Sequence, residues 1–167
     1  MSSEPGRGKA SPTRGAERTA ERTVERTTQR TASCSCGQLR VVTTGEPARV
    51  SLCHCLACQK RTGSVFGAQA RFAEADVTVV GESRPYARVA ESGHTLTFSF
   101  CPHCGATVHY VNDALPGFVG IPLGAFAGSA DVADAADAAL PAPAFSVYER
   151  SMHAWVTPPS GARRSRD

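Results

Sequence analysis

Seven cysteines gathered in three clusters constrain this chain more than any other feature of its sequence. They stand as Cys34-Ser-Cys36-Gly, Cys53-His-Cys55-Leu-Ala-Cys58 and Cys101-Pro-His-Cys104-Gly. An odd number at two- and three-residue spacings makes a poor disulfide framework. In a reducing compartment such clusters more often bind metal. Sulfur ligation suits zinc best, with an iron–sulfur cluster as the minor alternative. The last cluster is the strongest single signal. Two Cys at i and i+3 present both sulfurs to one ion while N–H groups of the turn bond to the thiolates, and the neighbouring Pro and Gly suit the tight geometry. Structural zinc takes four ligands, so this knuckle needs a second pair.

Ligand counting favours one partition. Cys34 and Cys36 with Cys101 and Cys104 close a four-thiolate site that ties the start of the domain to its centre. Cys53, Cys55 and Cys58 then remain for a second ion with one open position. Closed sites are structural, whereas open ones do chemistry. Pairing two middle-cluster sulfurs with Cys101 and Cys104 strands the third, so the four-plus-three partition is preferred. The alternative for the middle cluster is a second structural ion completed by His54 or His103. A His between two ligand cysteines, however, usually points away from the metal.

Three thiolates leave Zn²⁺ with net charge −1, which suits it poorly to making hydroxide from water. Such an ion still captures an external thiol and deprotonates it, whereas a free thiol is mostly protonated at neutral pH. Thiol chemistry is therefore expected, rather than peptide or phosphate hydrolysis. Lys60 and Arg61 follow the third ligand and either hold the carboxylates of a small thiol such as glutathione or are ordinary surface charges. His109 and Tyr110 read as strand residues, and Trp155 as core or rim packing.

The rest of the chain places these clusters. Residues 1–31 read as a tail, disordered or marginally helical, with an ERTAERTVERTTQRT repeat that lacks an apolar stripe. From residue 32 to 158 short alternating segments punctuated by Gly, Pro and Asp indicate a mainly β domain of antiparallel sheets. Expected strands are 38–43, 65–72, 76–80, 86–90, 95–99, 106–111, 118–121 and 145–148. LACQKRT, residues 56–62, reads as a short helical turn ended by Gly63. The Ala/Asp-rich stretch 128–143 carries Asp131, Asp134 and Asp137. It reads as a solvated loop face, because nothing supplies the other oxygen ligands of a hard cation. Residues 159–167 read as a basic C-terminal tail. The net charge of +3 comes from the two tails, so the folded part has no basic excess for nucleic acid. No apolar run reaches membrane-span length and no apolar leader is present, which makes the cytoplasm the expected location.

Four segments in this order, SCSCGQLRVVTTGEP, CHCLACQKRTGSVFGA, FSFCPHCGATVHY and SVYERSMHAWV, resemble the glutathione-dependent formaldehyde-activating (GFA) family, which includes the centromere protein V-like proteins. The resemblance spans residues 33–156. It implies a β-tent fold of antiparallel sheets stabilised by structural zinc, with two zinc ions per chain. It assigns Cys34, Cys36, Cys101 and Cys104 to the structural zinc and Cys53, Cys55 and Cys58 to the catalytic one. The implied activity is that of a carbon–sulfur lyase adding glutathione, or another cellular thiol, to formaldehyde or another aldehyde. The competing reading is a non-catalytic zinc module for protein interaction. A third, methionine sulfoxide reduction, needs a redox-active cysteine outside the metal sites, and all seven are already engaged.

Overall fold

A computed structural model describes residues 28–128 and 139–167. Alternation of buried and exposed side chains builds most of it. In β1 (Gln29–Ser33) and β2 (Arg40–Thr44), Ala32, Val41 and Thr43 are fully buried while Arg40 and Thr44 face out, as a half-buried strand requires. These two strands pair antiparallel, and β5 (Val77–Val80) adds to β2 to complete a three-stranded sheet.

The second sheet has eight strands. β3 (Arg49–Cys53), β4 (Gly67–Ala73), β9 (Phe118–Pro122), β8 (Thr107–Asn112), β7 (Thr95–Phe100) and β6 (Arg84–Val89) are neighbours in that order and pair antiparallel. On the other side of β3 come β10 (Phe145–Val147) and then β11 (Arg163–Arg164), both parallel. The mainly β, antiparallel expectation holds, with this parallel edge as a local departure.

One core joins the two sheets. Ala32, Leu39 and Val41 from the small sheet and its loop meet Val50, Ala70, Phe72, Val108, Val119 and Ile121 of the large one. Burying a side chain such as Phe72, which has no exposed surface, stabilises the fold by about 1.5–3 kcal/mol. Cys34 and Cys101 belong to the same cluster, so the first cysteine group sits at the core's edge.

Two boundaries differ from the sequence expectation. β1 takes Gln29, Arg30 and Thr31 from the segment read as tail. The pairing with β2 orders this polar stretch, and Arg30, only 3% exposed, bonds to the Gly45 carbonyl and the Glu46 carboxylate at 2.7 Å each. The basic C-terminal segment is likewise built into the sheet. β11 pairs with β10, and Arg164 Nε donates to both carboxylate oxygens of Glu149 at 2.9 Å. The expected disorder or helicity of residues 1–27 and the Asp131, Asp134 and Asp137 loop lie outside the described residues. No helix among the described residues is long and apolar enough to cross a membrane.

Candidate functional site

Two hairpin loops and one strand–helix junction carry all seven cysteines. The β1–β2 loop bears Cys34 and Cys36, and the β7–β8 loop bears Cys101 and Cys104. Each loop closes by the same bonds: Cys34 N–H to the Leu39 carbonyl at 2.9 Å, and Cys101 N–H to the Ala106 carbonyl at 3.0 Å. Each then turns at a left-handed glycine, Gly37 (φ 77°) and Gly105 (φ 74°), a conformation costly for residues with a Cβ. The turn amides point at sulfur, Leu39 N–H at Cys34 Sγ (3.3 Å) and His103 N–H at Cys101 Sγ (3.4 Å).

The four sulfurs lie within 4.8 Å of one another, with Cys34–Cys36 at 3.5 Å and Cys36–Cys101 at 3.6 Å. A disulfide needs a separation near 2.05 Å, and all of these thiols are free. Four sulfurs set tetrahedrally about one zinc at its usual bond length are ~3.8 Å apart, so the set fits a four-thiolate metal site. Gln38 braces it. Its Nε2 donates to Cys101 Sγ at 3.0 Å and to the Glu82 carbonyl at 2.7 Å, and its Oε1 accepts from Glu82 N–H at 3.0 Å. Burial pushes the Cys101 thiol up. Bonds from Gln38 and from the backbone of Cys104 and His103 outweigh it and bring the thiol down to about 6.

The second group forms where β3 runs into α1 (Leu56–Thr62). Cys53 ends the strand, Cys55 is the helix N-cap, and Cys58 lies in the first turn. Cys55 Sγ accepts from Cys58 N–H at 3.4 Å, doing for the helix what a capping Ser oxygen does. The helix ends at Gly63, as its sequence indicated. The three sulfurs also lie within 4.8 Å of one another, with Cys53–Cys55 at 3.5 Å. Bonds from the Cys53 and Cys58 thiols hold Cys55 far below the usual thiol range, and the same sharing pushes Cys53 up. Both cysteine groups could therefore hold a metal ion.

Neither histidine completes the three-cysteine group. His54 is fully buried and turns away, its Nε2 3.1 Å from Ser146 Oγ and its ring edge-on to Phe66. His103 sits 63% exposed in the other loop. Instead, Cys53, Cys55 and Cys58 open onto a cavity of about 410 Å³. The large sheet supplies its floor. In register across β3 and β4 stand Arg49 opposite Arg71, Ser51 opposite Gln69 and Cys53 opposite Gly67. Tyr110 reaches over Gly120 of β9, the residue paired with Arg71.

Of the two basic residues singled out beside the ligands, Arg61 lines this cavity. Lys60 is exposed and lies outside the lining. The structure adds Arg49, Arg71, Arg88, Gln69, Tyr110 and Tyr148 to the wall. Arg61 and Arg88 both approach the Phe98 ring, at 4.9 and 5.5 Å from its centroid. Tyr148 alone among the described non-glycine residues has a positive φ, 58°, a strained conformation of the kind found at functional sites. Trp155 is 72% exposed and so is not core.

The sequence model of a family described as glutathione-dependent formaldehyde-activating enzyme matches residues 29–141. Among solved structures, a structural-genomics target from Rhodobacter sphaeroides is similar at 24% identity and a TM-score of 0.44. The likeness covers 59% of this chain and 88% of that one. No curated protein matches the chain. The family match takes in all seven cysteines and well over half of the residues, and the chain belongs to the glutathione-dependent formaldehyde-activating family.

Proposed function

We propose that this protein is a zinc-dependent enzyme of the carbon–sulfur lyase type, working in the cytoplasm on an adduct between a small thiol and an aldehyde. The thiol is glutathione or another cellular thiol, and the aldehyde is formaldehyde in the family's named reaction. The observation that carries the proposal is the three-cysteine group. Cys53, Cys55 and Cys58 converge on the cavity, and among the described residues no fourth His, Cys, Asp or Glu joins them with its ligand atom within 4.8 Å of all three sulfurs. On this basis Cys34, Cys36, Cys101 and Cys104 hold a structural zinc, and Cys53, Cys55 and Cys58 hold the catalytic one.

A zinc ion held by the three thiolates would supply an open, soft coordination position at which an external thiol becomes a thiolate. The chain's own residues prepare that position. The strand end, the N-cap and the first helical turn fix the three sulfurs, which limits the reorganisation needed on binding. Arg61 and Arg88 line the same cavity as Cys55 and Cys58, and positive charge there favours the anionic ligands a metal requires. Leu96 and Phe98 give the wall an apolar part, which strengthens electrostatic interactions inside. In the reaction the thiol's sulfur forms a bond to the aldehyde carbon. The carbonyl π pair moves to oxygen, and that oxygen takes the proton the thiol gave up, leaving an S-hydroxymethyl product.

Exchange-type NMR on a glutathione–formaldehyde mixture tests this directly. The zinc-loaded protein is expected to speed exchange between free thiol and adduct, and Cys55→Ser to abolish the acceleration. Equal exchange rates with wild type, with Cys55→Ser and without protein would leave a non-catalytic zinc module as the function.

A further inference from the structure

The cavity beside the three cysteines holds an imbalance of charge that the chain itself does not resolve. Four guanidinium groups line it, from Arg49, Arg61, Arg71 and Arg88, and the only carboxylate in the lining is Glu91. Among the described residues none of the four forms an ion pair with a carboxylate. The Nε atoms of Arg49, Arg61 and Arg88 are buried without a hydrogen-bond partner. Buried donors left so are costly.

Register makes the arrangement more pointed. Arg49 and Arg71 stand directly opposite each other on neighbouring antiparallel strands, where like charges destabilise a sheet. A local choice that opposes the fold marks a functional position. Tyr110, 5% exposed, lies over Gly120, the residue paired with Arg71. Arg61 and Arg88 lie over the Phe98 ring and Arg49 over that of Phe145, contacts that hold the guanidiniums in place without neutralising them.

The balance gives the ligand's charge. Glu91 and a divalent ion on three thiolates offset two of the four arginines, which leaves the charge of two guanidiniums for whatever enters. We propose that the cavity selects a substrate carrying two oxyanion groups or one dianionic group, docked on Arg49 and Arg71, over an uncharged one. The proposal deepens the function argued above and rests on it for the position of the substrate's sulfur. Arg is suited to this role because its planar fork bonds carboxylate or phosphate oxygens in pairs.

Calorimetric titration of the metal-loaded full chain with S-methylglutathione and with inorganic phosphate tests it. S-methylglutathione offers two carboxylates and has no thiol to give. Its binding is expected to weaken about tenfold or more in Arg49→Gln and in Arg71→Gln, to weaken with added salt, and to be unchanged in Lys60→Gln. Phosphate binding with the same arginine dependence, and none by S-methylglutathione, would identify a phosphorylated substrate as the dianion's source. In either case, without added anion, Arg49→Gln is expected to melt at a higher temperature than wild type, because the opposed charges are relieved. If the Gln variants do not fold, Arg49→Lys and Arg71→Lys keep the charge and lose the fork, and a loss of affinity is still expected. Binding of neither probe, or binding indifferent to both arginines, overturns the proposal. Because neither probe is a thiol, their binding persists even if the three-cysteine centre captures no thiol, so the two failures are distinguishable.

Discussion

Gly120 lies on β9 between Arg71 of β4 and Tyr110 of β8, paired with both. A Cβ placed on it would stand 2.2 Å from Tyr110 Cζ, 2.4 Å from Cε1 and 2.6 Å from Oη. Carbon atoms rest ~3.5–4.0 Å apart, so Gly120→Ala forces the ring to move by more than ~1 Å. The ring has little room, being 5% exposed and tilted against Phe98 at a centroid distance of 5.2 Å. Overpacking of this kind costs about 1–3 kcal/mol. In a Tyr110→Ala background the obstacle is gone. Gly120 lies outside the left-handed region, so Ala there restricts only the unfolded chain and stabilises by about 0.4–1 kcal/mol. The same substitution must therefore change sign between backgrounds, a coupling of about 1.5–4 kcal/mol. Urea midpoints of metal-loaded protein at fixed free zinc measure it. An equal cost in both backgrounds would refute the close packing of Tyr110 over β9.

Three further substitutions probe other parts of the account. Cys101→Ser should unfold the domain or lose about one metal per chain, because structural metal binding is folding free energy, whereas Cys55→Ser should stay folded with one metal; equal collapse of both would make both sites structural. Burial holds the His109 ring below its ordinary value of 6.5 and leaves Nε2 without a partner. The unfolded chain therefore binds a proton that the folded one resists, and the penalty is absent above pH 6.5 and grows as pH falls below it. His109→Gln should gain on wild type in urea midpoint between pH about 7.5 and about 5.5, and a constant difference would contradict that. Deleting residues 1–31 should lower stability by removing most of β1 and the buried Arg30 contacts; an unchanged thermal melt would contradict the assignment of β1.

The sequence made local features legible and long-range ones obscure. LACQKRT shows its length and its Gly63 stop within eight residues, and the structure places α1 there. The two knuckles are likewise local, each a Cys pair with a glycine that turns the chain, so their union could be reached by counting ligands. β3 escaped notice because RVSLC puts Ser51 among its apolar residues and its last position is a cysteine that reads as ligand. β1 is polar in sequence and acquires its two faces only from β2, and β11 is two residues held parallel to a distant strand. The arginine pair was invisible for the same reason. Arg49 and Arg71 are unremarkable until antiparallel register sets them opposite each other. Lys60 and Arg61 are adjacent, but neighbours on a helix point about 100° apart, and only the packing of α1 shows that Arg61 faces the cavity.

Cobalt substitution followed by sulfur-to-metal absorption tests the central claim most directly, that the three-cysteine centre keeps a position open for an external thiol. The account predicts two metals per chain, with one of the two spectra shifting saturably as glutathione is added and the same shift absent in Cys55→Ser. Two metals whose spectra ignore every thiol offered would contradict it.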